Sequence, residues 1–237
     1  MSTRDDEFWA GFLGVDPSTF DERTTTVGPH AGLGDYVGFW CFRRKQRTVI
    51  SAAPGWVPRL EELAAAAGDE TMDPGFWQRA LGADFERAIG PAFQGCLAAE
   101  NFRPAHSPIV RAVTAEDARA LDELREACGD EWNMPEAAEH YRYASFESGF
   151  ATALAGYRSW SEEAGDPAVI AHPEARGGGR GAAVTSAVVE DALEAGKLLL
   201  YQTLEANTPA VRIAFSLGYQ RYANHLAVRL TNESPTN

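Results

Sequence analysis

The sequence predicts an α/β fold, a twisted mixed sheet flanked by helices and preceded by a smaller α+β segment. Two observations carry this. Residues 167–219 run strand, helix, strand, helix, with a glycine-rich turn, ARGGGRGA, between the first strand and its helix. Ahead of them, residues 1–105 hold a second set of strands and helices, and 237 residues at 45% hydrophobic content suffice for a sizeable core.

Taken in order, DDEFWAGFLG (5–14) has the spacing of a short amphipathic helix with Phe8, Trp9, Phe12 and Leu13 on its apolar side. VGPHAGLGD (27–35) is a glycine-rich turn region. Strands follow at 36–42 and 48–52, joined by the basic tip RRKQR, which is expected to be a solvated hairpin tip rather than an anion site. Helices are expected over 56–67 and from Pro74, and a strand near 93–97. No phosphate loop, metal spacing or nucleophile motif occurs in this first part, and His30 and His106 stand isolated. A boundary is expected at FRPAHSP (102–108), where two prolines interrupt the pattern. This divides the chain into 1–105, 106–230 and a flexible tail, 231–237.

The second part opens with a strand at 109–113. Thr114 and Asp117 then form a helix N-cap with acid in the first turn, starting a helix through about Ala127. MPEAAEHYRY (134–143) suggests a further short helix, and 145–160 a hairpin turning at Ser148-Gly149. A strand at 168–171 leads into the glycine turn, a helix to about Ala195 and a strand at 197–203. A last helix begins near Asn207 and stops at Gly218. The strand ending at His225–Leu230 is a candidate homodimer edge.

A glycine turn between a strand and a helix aims backbone N–H groups and the helix dipole at one point, which suits a phosphate. Gly177, Gly178 and Gly179 permit the sharp turn and a close approach to the backbone. Gly181 and Ala182 keep the first helical turn small beneath phosphate oxygens. Arg176 and Arg180 add positive charge to a chain of net charge −13. A Walker A loop would end in Gly-Lys-Ser/Thr, which Gly181-Ala182-Ala183 does not. Gly177, Gly179 and Ala182 meet the dinucleotide fingerprint formally, but its acidic partner is missing at the required distance. Arg-x-x-Gly-x-Gly/Ala fits Arg176, Gly179 and Gly181.

Here the sequence resembles the GNAT superfamily of acyl-CoA-dependent N-acyltransferases. HPEARGGGRGAA resembles its pyrophosphate loop. NTPAVRIAFSLGYQRY resembles its last helix, with Asn at the start and Leu-Gly-aromatic at the end. IVRAVTAEDARALDEL resembles its opening strand and helix. Together these cover about residues 108–230. The resemblance implies the GNAT fold and acetyl-CoA as co-substrate. It also implies that the backbone of Val169, Ile170 and Ala171 runs beside the pantetheine arm, and that amides of 177–182 hold the pyrophosphate. Asn207 would cap the last helix and reach the cofactor arm. Similar N-terminal segments accompany some members, so residues 1–105 are expected to be a degenerate half of the same fold, shaping the acceptor pocket.

The implied reaction is N-acetylation of a small primary amine by direct transfer, without a covalent enzyme intermediate. Asp166 and Glu205 are the candidate general bases, beside a route through backbone and water. Glu136, Glu139 and His140 are candidate acceptor contacts, and His172 is structural. Where many relatives carry a proton-donating Tyr, this chain has Ala214, followed by Phe215. Tyr201 and Tyr222 are the available replacements. Two alternatives remain: an acyl-CoA sensor without turnover, and the same scaffold used for O-acylation or thioester processing.

The negative charge disfavours nucleic acid and anionic membranes as partners and suits a cationic substrate. No signal-peptide pattern and no apolar run near 18 residues is present, so a cytoplasmic location is expected. Cys41, Cys96 and Cys128 are odd in number and widely spaced, which gives neither a disulfide framework nor a metal site.

Overall fold

The computed structural model describes residues 3–21, 25–132 and 140–235. The chain forms two compact units. One comprises 1–94, 202–208 and 221–237, and the other 95–201 and 209–220. This differs from a single cut near residue 105, because 202–208 and 221–237 fall with the N-terminal segment.

The first unit is built on β1 (Thr26–Pro29), β2 (Gly38–Arg44), β3 (Arg47–Ala52), the first part of β4 (Phe85–Leu97) and β10 (Gln220–Leu230). The strand order is β1-β3-β2-β10-β4. β1 is parallel to β3, whereas β2 is antiparallel to both β3 and β10. β1 overlaps the start of the stretch expected as a turn. Its four residues, TVGP, are too short and too rich in Gly and Pro to signal a strand without their partner. β4 begins eight residues before the expected strand, since Gly90-Pro91 interrupts the local pattern.

β2 is buried on both faces, so its sequence shows no alternation. Phe39 and Cys41 join Ile50, Trp56, Leu60, Trp77, Leu226 and Val228 beneath α2 (Val57–Ala67) and α3 (Pro74–Leu81). Trp40 and Phe42 contact α1 (Thr3–Leu13) through Phe12 and Trp9. Asp6 of α1 accepts from Tyr222 Oη at 2.8 Å and pairs with Arg44 at 2.8 Å.

His225 is 2% exposed and stacks on Trp40 with ring centres 4.3 Å apart. Its Nδ1 lies 2.7 Å from the Gln94 amide and its Nε2 3.1 Å from that of Gln202. Both contacting atoms are amide nitrogens, so a neutral ring accepts from one of them, and its own N–H is satisfied once the other amide turns its oxygen to the ring. Burial lowers the pKa of His225 to about 3. The folded chain therefore keeps the ring neutral while the unfolded chain protonates it below about pH 6.5. The stabilisation is complete above pH 6.5 and is lost as pH falls towards 3, at about 1.4 kcal/mol per pH unit. From pH 6.5 to 5 the parent protein should lose about 2 kcal/mol that His225→Gln does not. Urea melts at both pH values would measure this, and equal slopes would refute it.

The second unit contains β5 (Val110–Ala112), β6 (His140–Glu147), β7 (Phe150–Ser159), β8 (Ala164–Ala171) and the start of β9 (Leu198–Leu204), in the order β9-β8-β7-β6-β5. β5 through β8 are antiparallel in turn and β8–β9 is parallel, so the sheet is mixed, as expected for the fold class. α4 (Ala118–Cys128) covers one face through Leu121, Leu124 and Cys128, against Ala144, Leu154 and Ile170. Thr114 and Asp117 make the capping box ahead of it. α5 (Arg180–Glu194) packs on β6, β7 and β8, and α6 (Thr208–Ser216) precedes β10.

The helix expected over 134–143 is corrected in part. Residues 140–143 are strand, paired with β5 and β7, while 133–139 lie outside the described residues. The Glu/Ala-rich start suggested a helix, but the alternating HYRYASFE follows the strand period. The hairpin turns at Ser148 and Gly149 as expected, both at positive φ (51° and 87°).

Candidate functional site

β8 and the turn that follows it frame the candidate site. β7 holds β8 over seven residue pairs, from Ala153 opposite Ala171 to Ser159 opposite Gly165. On the other side the parallel register with β9 covers Ala164–Leu198 and Gly165–Leu199. Among the described residues of this unit, the β8–β9 pairing ends at Gly165 opposite Leu199. Ile170 turns its side chain into the core against α4, leaving only its backbone for a ligand. Val169 and Ala171 are half-buried on the opposite face.

The chain leaves β8 through His172, whose N–H donates to the Thr152 carbonyl at 3.0 Å and whose Nδ1 accepts from the Glu174 N–H at 3.2 Å. His172 thus caps the single turn Pro173–Ala175. Gly177 and Gly179 follow with φ of 82° and 77°, a conformation that penalises any side chain. Gly179 is the N-cap of α5, with no side-chain hydrogen bond at the cap and no acid in the first turn. The first amides of this 15-residue helix are therefore uncapped donors at the positive end of its dipole. Gly177–Gly179 are exposed, and a Cβ on Gly177 or Gly179 would meet no protein atom within 4 Å. These features fit an anionic group such as a diphosphate held by backbone N–H groups.

Two other glycines serve different ends. A Cβ on Gly178 would lie 2.1 Å from Arg180 Nη1. One on Gly181 would lie 3.1 Å from Ile213 Cδ1 and 3.8 Å from Val169 Cγ2. At Gly181 the small residue also leaves room for Ile213 of α6. Ala182, on the same turn, is half-buried.

Both arginines of the turn have protein partners. Arg180 donates from Nε and Nη2 to Glu147 (2.5 and 2.9 Å) and from Nη1 to the Ala175 carbonyl (3.1 Å). It braces the turn against the β6–β7 hairpin. Those hydrogen bonds raise the Arg180 pKa and lower that of Glu147. Arg176 donates to the Ala171 carbonyl at 3.2 Å and to Glu131 at 2.9 Å. Glu147 and Glu131 had no signal in the sequence, because each lies more than 30 positions from its arginine. The turn's positive potential therefore comes from its amides more than from these two paired side chains.

The candidate bases fall in different units. Asp166 is 1% exposed. Its Oδ1 accepts from Arg158 Nε (2.9 Å) and Trp160 Nε1 (2.8 Å), and its Oδ2 from Arg158 Nη2 (2.7 Å). Burial pulls the Arg158 pKa down, but the charge and hydrogen bonds of Asp166 more than offset it. Asp166, a candidate general base, is thus held as a buried ion-pair partner of Arg158. Glu205 is paired with Arg221 and Asn224. Hydrogen bonding from Arg221, followed by that from Asn224, holds its carboxyl below the usual range, which weakens it as a base.

Asn207 stands immediately before α6, exposed, with its N–H donating to the Leu204 carbonyl at 2.9 Å. Ala214 is fully buried and Phe215 is exposed. The two candidate replacements for a proton-donating Tyr are both occupied structurally. Tyr201 is buried, which pushes its pKa far up, and Tyr222 donates to Asp6. Glu136 and Glu139 lie outside the described residues, as does the side chain of His140.

Among the described residues, no three His, Cys, Asp or Glu side chains are placed to hold a metal ion, and no helix is long and apolar enough to cross a membrane. No protein-family model matches the chain, and no curated protein matches it. Solved structures do. An acetyltransferase from the GNAT family of Colwellia psychrerythraea matches with 14% identity over 65% of this chain and 61% of its own, at a TM-score of 0.49. For a GCN5-related N-acetyltransferase from Kribbella flavida the values are 18% identity, 75% of each chain and 0.47. A tandem GNAT protein from the clavulanic acid biosynthesis pathway gives 16% identity over 70% of this chain and 60% of its own, at 0.46. The chain thus spans about six tenths of the first and third of these proteins, and each similarity covers part of both chains.

Proposed function

We propose that this protein is a GNAT-type acyltransferase that binds acetyl-CoA at the Gly177–Ala182 turn and acetylates a primary amine of a small molecule. One observation carries the reading: β8 leads straight into an uncapped, exposed helix start with two left-handed glycines. Backbone amides of 177–182 hold the diphosphate, and the backbone of β8 at Val169–Ala171 lies beside the arm. Acetyl-CoA supplies the activated acetyl group. In direct transfer the amine nitrogen forms the C–N bond as the C–S bond breaks, and the amine proton must leave. With Asp166 and Glu205 both engaged by arginines, we assign that proton to a backbone-and-water route. A small amine as acceptor agrees with the net charge of −13.

A second reading, an acyl-CoA sensor without turnover, is favoured by the buried Ala214, the burial of Tyr201 and the engagement of Tyr222 with Asp6. Calorimetric titration with acetyl-CoA, followed by thiol release with an amine panel, separates the two. Micromolar binding with amine-dependent release is expected, and binding without release would select the sensor. Gly179→Val should weaken acetyl-CoA binding at least ~10-fold, since its side chain would stand where the anion approaches and its φ penalises a β-branched residue. Unchanged affinity in that variant would remove the turn from the binding site.

A further inference from the structure

A cavity of about 410 Å³ opens beside α5, bounded by residues 105–108, β5 and β6 and reaching Ala183, but none of residues 177–182 lines it. That volume is in the range of small-molecule sites. Val110 and Ala187 are among its apolar lining residues, and Tyr143, Ser107, Ser186, His106 and Glu190 are its polar ones. No Lys or Arg is among its lining residues.

Its hydrogen bonds favour one sign of charge. Tyr143 Oη donates to Asp191 Oδ2 at 2.6 Å, so the phenol's one hydrogen is committed and its oxygen can only accept. That carboxylate also pushes the Tyr143 pKa up to about 12, keeping the phenol neutral. Ser186 Oγ accepts from the Ala105 N–H at 2.9 Å, which ties the 105–108 segment to α5 and closes one wall. The Glu190 carboxylate lies 3.7 Å from His106 Nε2, a looser pairing than the hydrogen bonds around it. An ammonium group entering here would meet a carboxylate, a phenol oxygen and an aromatic ring, with an apolar wall for its carbon body.

We propose that this cavity binds a small organic cation, an alkyl- or arylammonium, with Glu190 as its counter-ion and Tyr143 as its aromatic wall. None of the residues of the glycine turn takes part, so the proposal stands apart from the acyl-transfer reading.

The test is calorimetry on the full chain without acetyl-CoA, using phenethylammonium as the probe and phenylacetate as its charge-reversed counterpart. Phenethylammonium should bind with one-to-one stoichiometry and phenylacetate should not. Glu190→Gln keeps the volume and removes the charge, and it should weaken binding about 10-fold or more. Ala187→Phe fills the cavity and should abolish binding. Should that variant fail to fold, Glu190→Gln alone decides. An unchanged Kd in Glu190→Gln would place the amine elsewhere, for instance at an acceptor site, and overturn the proposal. Absence of phenethylammonium binding, or equal binding of phenylacetate, would overturn it as well.

Discussion

Replacing Asp166 with alanine should cost about 3–5 kcal/mol of stability, the range for breaking a buried ion pair. The loss has three parts. Arg158 would keep its charge in a largely buried place without a counter-ion, and its two donors would lose their acceptor. The Trp160 indole N–H would also lose its bond to Asp166. Thermal unfolding should show the change as a drop on the order of ten degrees. Asp166→Asn keeps an acceptor for Trp160 and should fall between parent and alanine variant. A catalytic base would behave differently, with Asp166→Asn losing turnover at an unchanged melting temperature. That pattern would restore Asp166 to the chemistry.

Gly218→Ala should be at least as damaging as most core truncations, roughly 3 kcal/mol or more. Gly218 terminates α6 at φ 97°. The Tyr219 N–H reaches back to the Ala214 carbonyl at 3.0 Å, and the Leu217 carbonyl accepts from the Arg103 N–H at 3.0 Å. A Cβ would sit 1.9 Å from the Asn101 carbonyl oxygen, which belongs to backbone and has no rotamer to yield. Gly177→Ala makes the natural comparison. It has a similar φ of 82° but open space around its Cβ, so it should cost only about 1–2 kcal/mol. Equal melting temperatures for the two variants would show that the clash at Asn101 relaxes freely.

This contrast separates what each glycine is for, and the sequence pools them. ARGGGRGA announces a turn before a helix, because runs of glycine have few other uses between a strand and a helix. It does not announce that Gly181 faces Ile213, or that Gly178 lies under the Arg180 guanidinium. Those contacts join residues from separate elements. The Leu-Gly-Tyr ending is similar: the helix stop is legible, whereas the Asn101 carbonyl that forbids a side chain there is not.

The charged residues show the same division more sharply. Arg176 and Arg180 in a glycine turn suggest phosphate ligands, and Asp166 at the start of a binding strand suggests a base. Each is instead engaged by a protein partner. Arg158 reaches Asp166 only because β7 and β8 pair antiparallel with these two residues in register. Glu147 reaches Arg180 only because the β6–β7 hairpin ends beside α5.

The sequence by itself determined the features written in local chemistry. These are the alternation of strand and helix in the second unit, the hairpin at Ser148-Gly149, the capping box at Thr114–Asp117 and the glycine turn leading into α5. Each depends on residues within one or two turns of chain, where backbone φ and short-range hydrogen bonds decide the outcome. Tertiary structure decided the rest: that β1 and β10 join the N-terminal segment, that 140–143 extend a sheet, and which charges stay free. A short strand is stabilised by its neighbours, and a charge is neutralised by whichever opposite charge the fold brings to it. Neither partner is named by nearby sequence.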